Sequence, residues 1–266
     1  MINPSFLITG TSSGLGRYLL EELRGTPFNR KDTENEISSH SKDYYDAIIH
    51  CAVDARNIIP PHELLAYYES NVELTRKLTQ IPHGLFVYIS SPAVYPNPLR
   101  LNKETDIPDI PEVVSPVHHT YYLYGLFKFL SEQIVSKYAK DHLVLRCAHI
   151  LGRTSRESSN VVRVLKDDRS QLTLSADTTF SFVSMEQLKK FIELALTKNI
   201  TGIFNAGSSQ YLTLGEIARA VNSKPNFGKF VHNVHKIDTT KIRGVSAEFN
   251  KGSLELAMET AKELRS

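Results

Sequence analysis

The stretch Phe6-Leu7-Ile8-Thr9-Gly10-Thr11-Ser12-Ser13-Gly14-Leu15-Gly16 decides how the rest of the chain is read. FLIT is a short apolar run that ends in glycine. Leu15, Leu19 and Leu23 then recur every four positions, the spacing of one helix face. A strand therefore passes through a glycine-rich turn into a helix. Gly10 allows the tight turn, and a residue without a side chain lets backbone approach a pyrophosphate. The helix N-terminus offers unpaired N–H groups and the positive end of its dipole to phosphate oxygens. Thr11, Ser12 and Ser13 add hydroxyl donors. Three glycines alone also suit an ordinary turn. The strand before and the helix after make Gly10, Thr11, Ser12, Ser13, Gly14, Leu15 and Gly16 a candidate dinucleotide-binding loop.

Working outward, the same alternation repeats. DAIIHCAV (46–53), LFVYIS (85–90) and HLVLRCAHIL (142–151) read as buried strands. Between them lie helical patterns over 61–80, with Leu64, Leu65, Tyr68, Val72 and Leu78 as the expected inner face, and over 121–139. Continuous apolar strands between amphipathic helices imply a parallel sheet covered on both faces. The fold class is therefore α/β, a Rossmann-type doubly wound sheet, with residues 1–151 as the dinucleotide-binding domain. The polar segment 26–45 is too short for both a strand and a full crossover helix, so an abbreviated unit is expected there. Residues 152–266 form mainly a small C-terminal lobe, with strands near 181–184 and 202–207 returning to the core. Ser184-x-x-Gln187 and Thr213-x-x-Glu216 each predict a capped helix start. A last helix is expected from about Ser253.

Composition narrows the function classes. The formal net charge of this 266-residue chain is +2 and its basic residues are dispersed, which gives no case for a nucleic-acid partner. No apolar stretch approaches the length that spans a bilayer, so no membrane partner is expected. Cys51 and Cys147 lie inside apolar runs without a C-x-x-C partner and read as reduced core thiols. With the first strand starting almost at once, no signal peptide is expected, and a cytoplasmic location fits best. His118 and His119 have no ligand cluster around them at metal spacing, so no metal site is expected.

Tyr124 and Lys128 stand four apart in the 121–139 helix and so share a face. A tyrosine has an ordinary pKa of about 10, and a neighbouring ammonium favours its phenolate. Such a pair is also common by chance on helix surfaces.

Set beside the glycine loop, it makes the chain resemble the extended short-chain dehydrogenase/reductases, the NAD-dependent epimerase/dehydratase family. TGTSSGLG resembles the cofactor loop, and DAIIHCAV the motif of the family's fourth strand. YISSPAVYP resembles the Ser-Ser-x-x-x-Tyr segment after the fifth strand, and YGLFKFLSE the Tyr-Gly-x-x-Lys-x-x-x-Glu helix. LRCAHILG, FSFVSMEQL and GIFNAGSSQYLTLGEIA resemble later segments.

The resemblance implies roles. Tyr124 is the expected general acid/base, Lys128 lowers its pKa and holds the nicotinamide ribose, and Ser91 hydrogen-bonds the reacting oxygen, with Ser90 as a helper. His50, Cys51, Ala52 and Val53 are expected along the cofactor, Asn71 in a supporting role, and the C-terminal lobe around the substrate. The expected function is an NAD(P)-dependent oxidoreductase or epimerase moving a hydride on a nucleotide-sugar or related hydroxy/keto compound. The alternative is a non-catalytic NAD(P)-binding regulator or scaffold of the same fold. The family often dimerises through two helices, so a homodimer is a further expectation, with Phe127, Phe129 and Leu130 as contact candidates.

The chain also departs from the family pattern. Its glycine spacing is that of the other branch of the superfamily. Phe127 replaces the serine usual before the lysine, and Cys147 the proline usual after Arg146. Pro92 and Ala93 occupy the positions where a dehydratase places an acidic pair, which disfavours dehydration. For the cofactor, Arg30 and Lys31 suit the 2′-phosphate of NADP, whereas Asp32 or Glu34 suits the ribose of NAD. NADP is the preferred expectation, with NAD the alternative. Arg153, Arg156, Arg163 and Lys166 are candidates for a substrate diphosphate or for a solvated face.

Overall fold

Sequence-local glycine and apolar patterns become a single parallel sheet in the computed structural model. It describes residues 4–29, 33–56, 59–95, 97, 100–106, 119–167, 169, 171–232 and 234–266, of residues 119–122 the backbone alone. The strands are β1 (Phe6–Thr9), β2 (Thr26–Pro27), β3 (Tyr45–His50), β4 (His83–Ser90), β5 (Asp141–Cys147) and β9 (Gly202–Ala206). They lie side by side in the order β2-β1-β3-β4-β5-β9, and every pairing is parallel.

Because each strand is buried on both sides, alternate residues feed two separate cores. Phe6, Ile8, Ala47, Ile49, Val87 and Leu145 pack against α1 (Gly14–Leu23) and α7 (Met185–Lys198). Leu7, Ile48, Phe86, Tyr88 and Val144 pack against α4 (Leu74–Leu78) and α5 (His119–Tyr138). The doubly wound class thus follows from the strand composition. The chain reverses direction across the sheet between β1 and β3, where the crevice at the strands' carboxyl ends is the natural ligand site.

The unit at 26–45 is abbreviated as expected: a two-residue strand and the eight-residue helix α2 (Thr33–His40). With only one short strand in this unit, DAIIHCAV forms the third strand in chain order and LFVYIS the fourth. In the second half, β9 enters the main sheet beside β5. The 181–184 segment does not. There β8 (Phe182–Ser184) pairs with β6 (His149–Leu151) in a sheet of its own, and β7 (Thr179–Phe180) pairs with β10 (Leu212–Thr213). A distinct core forms around Leu151, Val164, Phe182, Ile217 and Leu256, drawn from α6 (Asn160–Leu165), α8 (Leu214–Ala220) and α10 (Ser253–Arg265).

The 61–80 helix differs from its expected phase. Val72 and Leu78 are buried, but Leu64, Leu65 and Tyr68 are exposed and Tyr67 takes the inner position. The cause is a π-helical turn over Glu69–Glu73, between α3 (Leu64–Tyr68) and α4, in which the Leu74 N–H donates to the Glu69 carbonyl. One extra residue per turn rotates the apolar face away from a 3.6-residue repeat.

Candidate active site

The glycine loop closes on the end of β3 at backbone distance. Gly10 and Gly14 have φ of 73° and 61°, the left-handed region that favours glycine. A Cβ on Gly10 would lie 2.8 Å from the Ala52 nitrogen, and one on Gly16 only 2.4 Å from the Gly10 carbonyl oxygen. A Cβ on Gly14 would meet nothing within 4 Å. The turn is therefore tight beneath and open above, as a pyrophosphate cradle requires. Ser13, the N-cap of α1, makes no side-chain capping bond, and the first turn holds no acid. Thr154 steadies the loop instead, its carbonyl accepting from the Gly14 N–H at 2.9 Å and its hydroxyl donating to the Gly14 carbonyl at 2.8 Å.

From this loop a cavity of about 1570 Å³ runs along the carboxyl ends of the strands. Gly10, Thr11, Ser12, Ser13, Gly14, Leu15, Gly16, Cys51, Ala52 and Val53 all line it, as do Ser91, Tyr124 and Lys128. His50 does not. Its ring lies on the face of β3 toward α4, beside Tyr88, with Nδ1 2.8 Å from Thr9 Oγ1 and Nε2 3.0 Å from Thr75 Oγ1. It braces the sheet beneath the site rather than lining it. Arg30, Lys31 and Asp32 lie outside the described residues, as does His118. Glu34 is paired with Lys77, and Glu36 accepts from the Asn29 N–H, so neither acid reaches the cavity.

At the far end of the crevice Ser91 follows β4 and opens a short turn, its Oγ accepting from the Ala93 N–H at 3.2 Å. Tyr124 and Ser91 both line the cavity wall here, close enough for the Ser91 hydroxyl to act on the Tyr124 phenol. Lys128 is 5% exposed and donates from Nζ to the Ile89 carbonyl at 2.7 Å. Its Nζ is 6.0 Å from the Tyr124 ring centroid and 4.7 Å from that of Tyr88. Burial pushes Lys128 down to about 8. The Tyr124 phenol stands above its ordinary value, because burial outweighs the nearby Ser91 hydroxyl, which favours the phenolate. The expected lowering by Lys128 is not seen in the protein alone; at neutral pH the phenol carries its proton.

Gly125 is a site residue that spacing alone did not single out. A Cβ there would lie 2.1 Å from the Ala93 carbonyl oxygen. Only glycine lets α5 press against the turn that carries Ser91, which brings Tyr124 within reach of it. The available signal was a glycine inside a helical pattern. Gly125→Ala is expected to separate the two elements, lowering kcat at least tenfold and stability by about 1–3 kcal/mol. Turnover and thermal melting of the variant check both.

Asn71, inside the π-helical turn, clamps the segment after β3. Its Oδ1 accepts from the Asp54 N–H at 2.9 Å, and its Nδ2 donates to the carbonyls of Asp54 and Tyr67. Ser90 donates to Glu132 and belongs to a buried network with Arg146 rather than to the reacting group. Tyr95 is equally committed, donating to Asn205 Oδ1 at 2.7 Å and accepting from Arg146 at 2.9 Å.

The four basic candidates of the second half separate cleanly. Arg153 is held by Glu21 and Glu22, Arg163 donates to the Gln171 carbonyl, and Lys166 pairs with Glu157. Arg156 alone of the four lines the cavity. The same wall carries His149, His232 and His235, none of which the spacing pointed to, and no carboxylate among the described lining residues.

Comparison with known proteins agrees with the fold. The model of the NAD dependent epimerase/dehydratase family matches residues 6–207. No curated protein matches the chain. Among solved structures, MoeE5 in complex with UDP-glucose and NAD superposes with a TM-score of 0.78 at 16% identity, covering 98% of each chain. A dTDP-4-dehydrorhamnose reductase from Bacillus anthracis in complex with NADP gives 0.77 at 20% identity, covering 97% of this chain and 98% of that one. A UDP-glucuronic acid 4-epimerase from Bacillus cereus, in complex with UDP-glucuronic acid and NAD, gives 0.72 at 19% identity, covering 98% of each.

Proposed function

The chain belongs to the NAD dependent epimerase/dehydratase family, enzymes of the extended short-chain dehydrogenase/reductase type, and on that premise we propose that it is an NADP(H)-dependent reductase of a nucleotide-linked keto sugar or a related keto compound. The observation that carries this is the convergence of Ser91, Tyr124 and the buried Lys128 on the wall of the cavity that begins at the glycine loop.

The cradle of Gly10, Gly14 and the first turn of α1 fits a dinucleotide pyrophosphate, and Cys51, Ala52 and Val53 continue that wall. When bound there, the nicotinamide exchanges a hydride with the substrate carbon. Ser91 hydrogen-bonds the substrate oxygen and fixes its position. Tyr124, kept protonated by burial, gives its proton to that oxygen as negative charge develops. Lys128 keeps one donor on the Ile89 carbonyl and would have its others for the ribose hydroxyls of a bound cofactor. Arg30 and Lys31, which follow the cavity-lining Asn29 in the sequence, suit the 2′-phosphate and support NADP over NAD.

Titration of the purified protein with NADPH and NADH tests the cofactor assignment. NADPH is expected to bind at least tenfold tighter. Tighter NADH binding overturns the preference, and dinucleotide retained through purification and released only by denaturation points to an epimerase instead. The exposed Leu64, Leu65, Tyr68, Leu130 and Tyr138 on α3 and α5 support a homodimer through these helices, which sedimentation velocity checks.

A further inference from the structure

Thr154 belongs to the second half of the chain, yet it is bonded to the cofactor loop of the first. The turn that carries it, residues 152–156 after β6, is closed on itself. The Gly152 N–H donates to Ser155 Oγ at 3.0 Å, and the Ser155 N–H donates to the Gly152 carbonyl at 3.0 Å. Successive residues of this turn meet three different surroundings. Arg153 pairs with Glu21 and Glu22 of α1, its guanidinium 5.2 Å from the Tyr18 ring centroid. Thr154 exchanges two bonds with Gly14, and its hydroxyl also lies 3.2 Å from Met185 Sδ at the start of α7. Ser155 and Arg156 line the cavity.

This makes a short path between the two ends of the cavity. Gly14 has a φ of 61° and forms the open side of the pyrophosphate cradle. Its N–H and its carbonyl are both held by Thr154, so a rotation of either peptide at Gly14 pulls on the turn. Arg156 stands two residues further on, near enough to Tyr124 to favour its phenolate. The Arg153 pairs are half-exposed, and such pairs hold little on their own. The two bonds to Gly14 are therefore what ties the turn to the cradle. One of them is backbone and survives any substitution; the other is the Thr154 hydroxyl.

We propose that Thr154 is a positioning residue that couples the two ends of the cavity: a dinucleotide seated on Gly14 fixes the 152–156 turn, and the turn fixes Arg156 beside Tyr124. The coupling is reciprocal, so a turn already held by Thr154 also favours the dinucleotide. This rests on the dinucleotide binding described under the proposed function and is independent of which substrate is used.

Amide hydrogen exchange of the full chain, read by mass spectrometry with and without saturating NADP, tests it. In the unmodified protein NADP is expected to slow exchange about fivefold or more over residues 10–18 and also over 152–160. Thr154→Val keeps the side-chain shape and the backbone bond but removes the hydroxyl donor. It is expected to weaken NADP binding about fivefold, the worth of one hydrogen bond. At saturating NADP it is expected to keep the protection of 10–18 and lose most of that over 152–160. Thr154→Ser, which restores the donor, is expected to restore both affinity and protection. Full protection of 152–160 in Thr154→Val means that the cofactor touches the turn directly, and overturns the coupling. So does protection confined to 10–18 in the unmodified protein, or a lowered melting temperature in Thr154→Val with NADP affinity and protection unchanged. An absence of NADP protection over 10–18 in the unmodified protein contradicts the proposed function itself.

Discussion

Tyr124→Phe is expected to lower kcat by about 10²–10⁴-fold, the range for losing a positioned proton donor, with NADPH affinity within about twofold of the unmodified protein. The substitution removes one hydroxyl, whose neighbour Ser91 keeps its bond from the Ala93 N–H. Nothing in the glycine loop or the β3 end touches that hydroxyl, so cofactor binding has no reason to change. The neighbouring lysine adds a pH signature. Burial lowers Lys128 to about 8, so its charge is present below that pH and lost above it. With the charge goes its support for the developing phenolate, and kcat/KM for ketone reduction is expected to fall on the alkaline side of about pH 8. A Tyr124→Phe variant that turns over at the normal rate would remove the tyrosine from the mechanism.

Glu132→Ala is expected to cost about 3–5 kcal/mol of stability, the penalty for stranding one member of a buried ion pair. Glu132 and Arg146 are 0% and 3% exposed at their side chains, and three bonds join them, Nε to Oε1 at 3.1 Å and to Oε2 at 3.3 Å, and Nη2 to Oε2 at 2.7 Å. Ser90 donates to the same carboxylate, and Arg146 continues through Tyr95 to Asn205, whose N–H donates to Glu104. The pair thus ties α5, β4, β5 and β9 to the segment after Ser91. Removing both charges is a different experiment. Glu132→Leu with Arg146→Met is expected to recover most of the loss, since well-packed apolar residues often replace a buried pair without penalty. Urea unfolding of the two variants checks this. A cost below about 1 kcal/mol for Glu132→Ala would mean that water reaches the carboxylate.

What was legible in the sequence was local. The glycine loop lies within eleven residues, and strand, turn and helix are all adjacent to it. Ser184 with Gln187, and Thr213 with Glu216, each form the reciprocal capping bonds that their spacing implies. Both motifs act over one helical turn and need no tertiary partner. The shortened unit at 26–45 was readable from chain length alone.

What failed depended on distant contacts. β3 is buried on both faces, so no polar alternation shows which way His50 points, and only its bonds to Thr9 and Thr75 settle that. The π-helical turn shifts the phase of the 61–80 helix because Asn71 is drawn to Asp54, and its carbonyl accepts from Ser131 and Thr75. The histidine wall joins β6 to residues more than eighty positions later, a juxtaposition that no local period encodes. Gly125 was visible as a glycine in a helix, but its reason is the Ala93 carbonyl on another element.

The measurement that tests the central claim most directly is isotope transfer from the cofactor. NADPH carrying deuterium at the nicotinamide C4 is incubated with the protein and a panel of keto sugar nucleotides, and the product is examined by mass spectrometry and proton NMR. The account predicts a product in which deuterium sits on the former carbonyl carbon, formed at a rate that Tyr124→Phe reduces by at least a hundredfold. A turned-over substrate whose new C–H hydrogen comes from solvent, with the labelled cofactor unchanged, would contradict it.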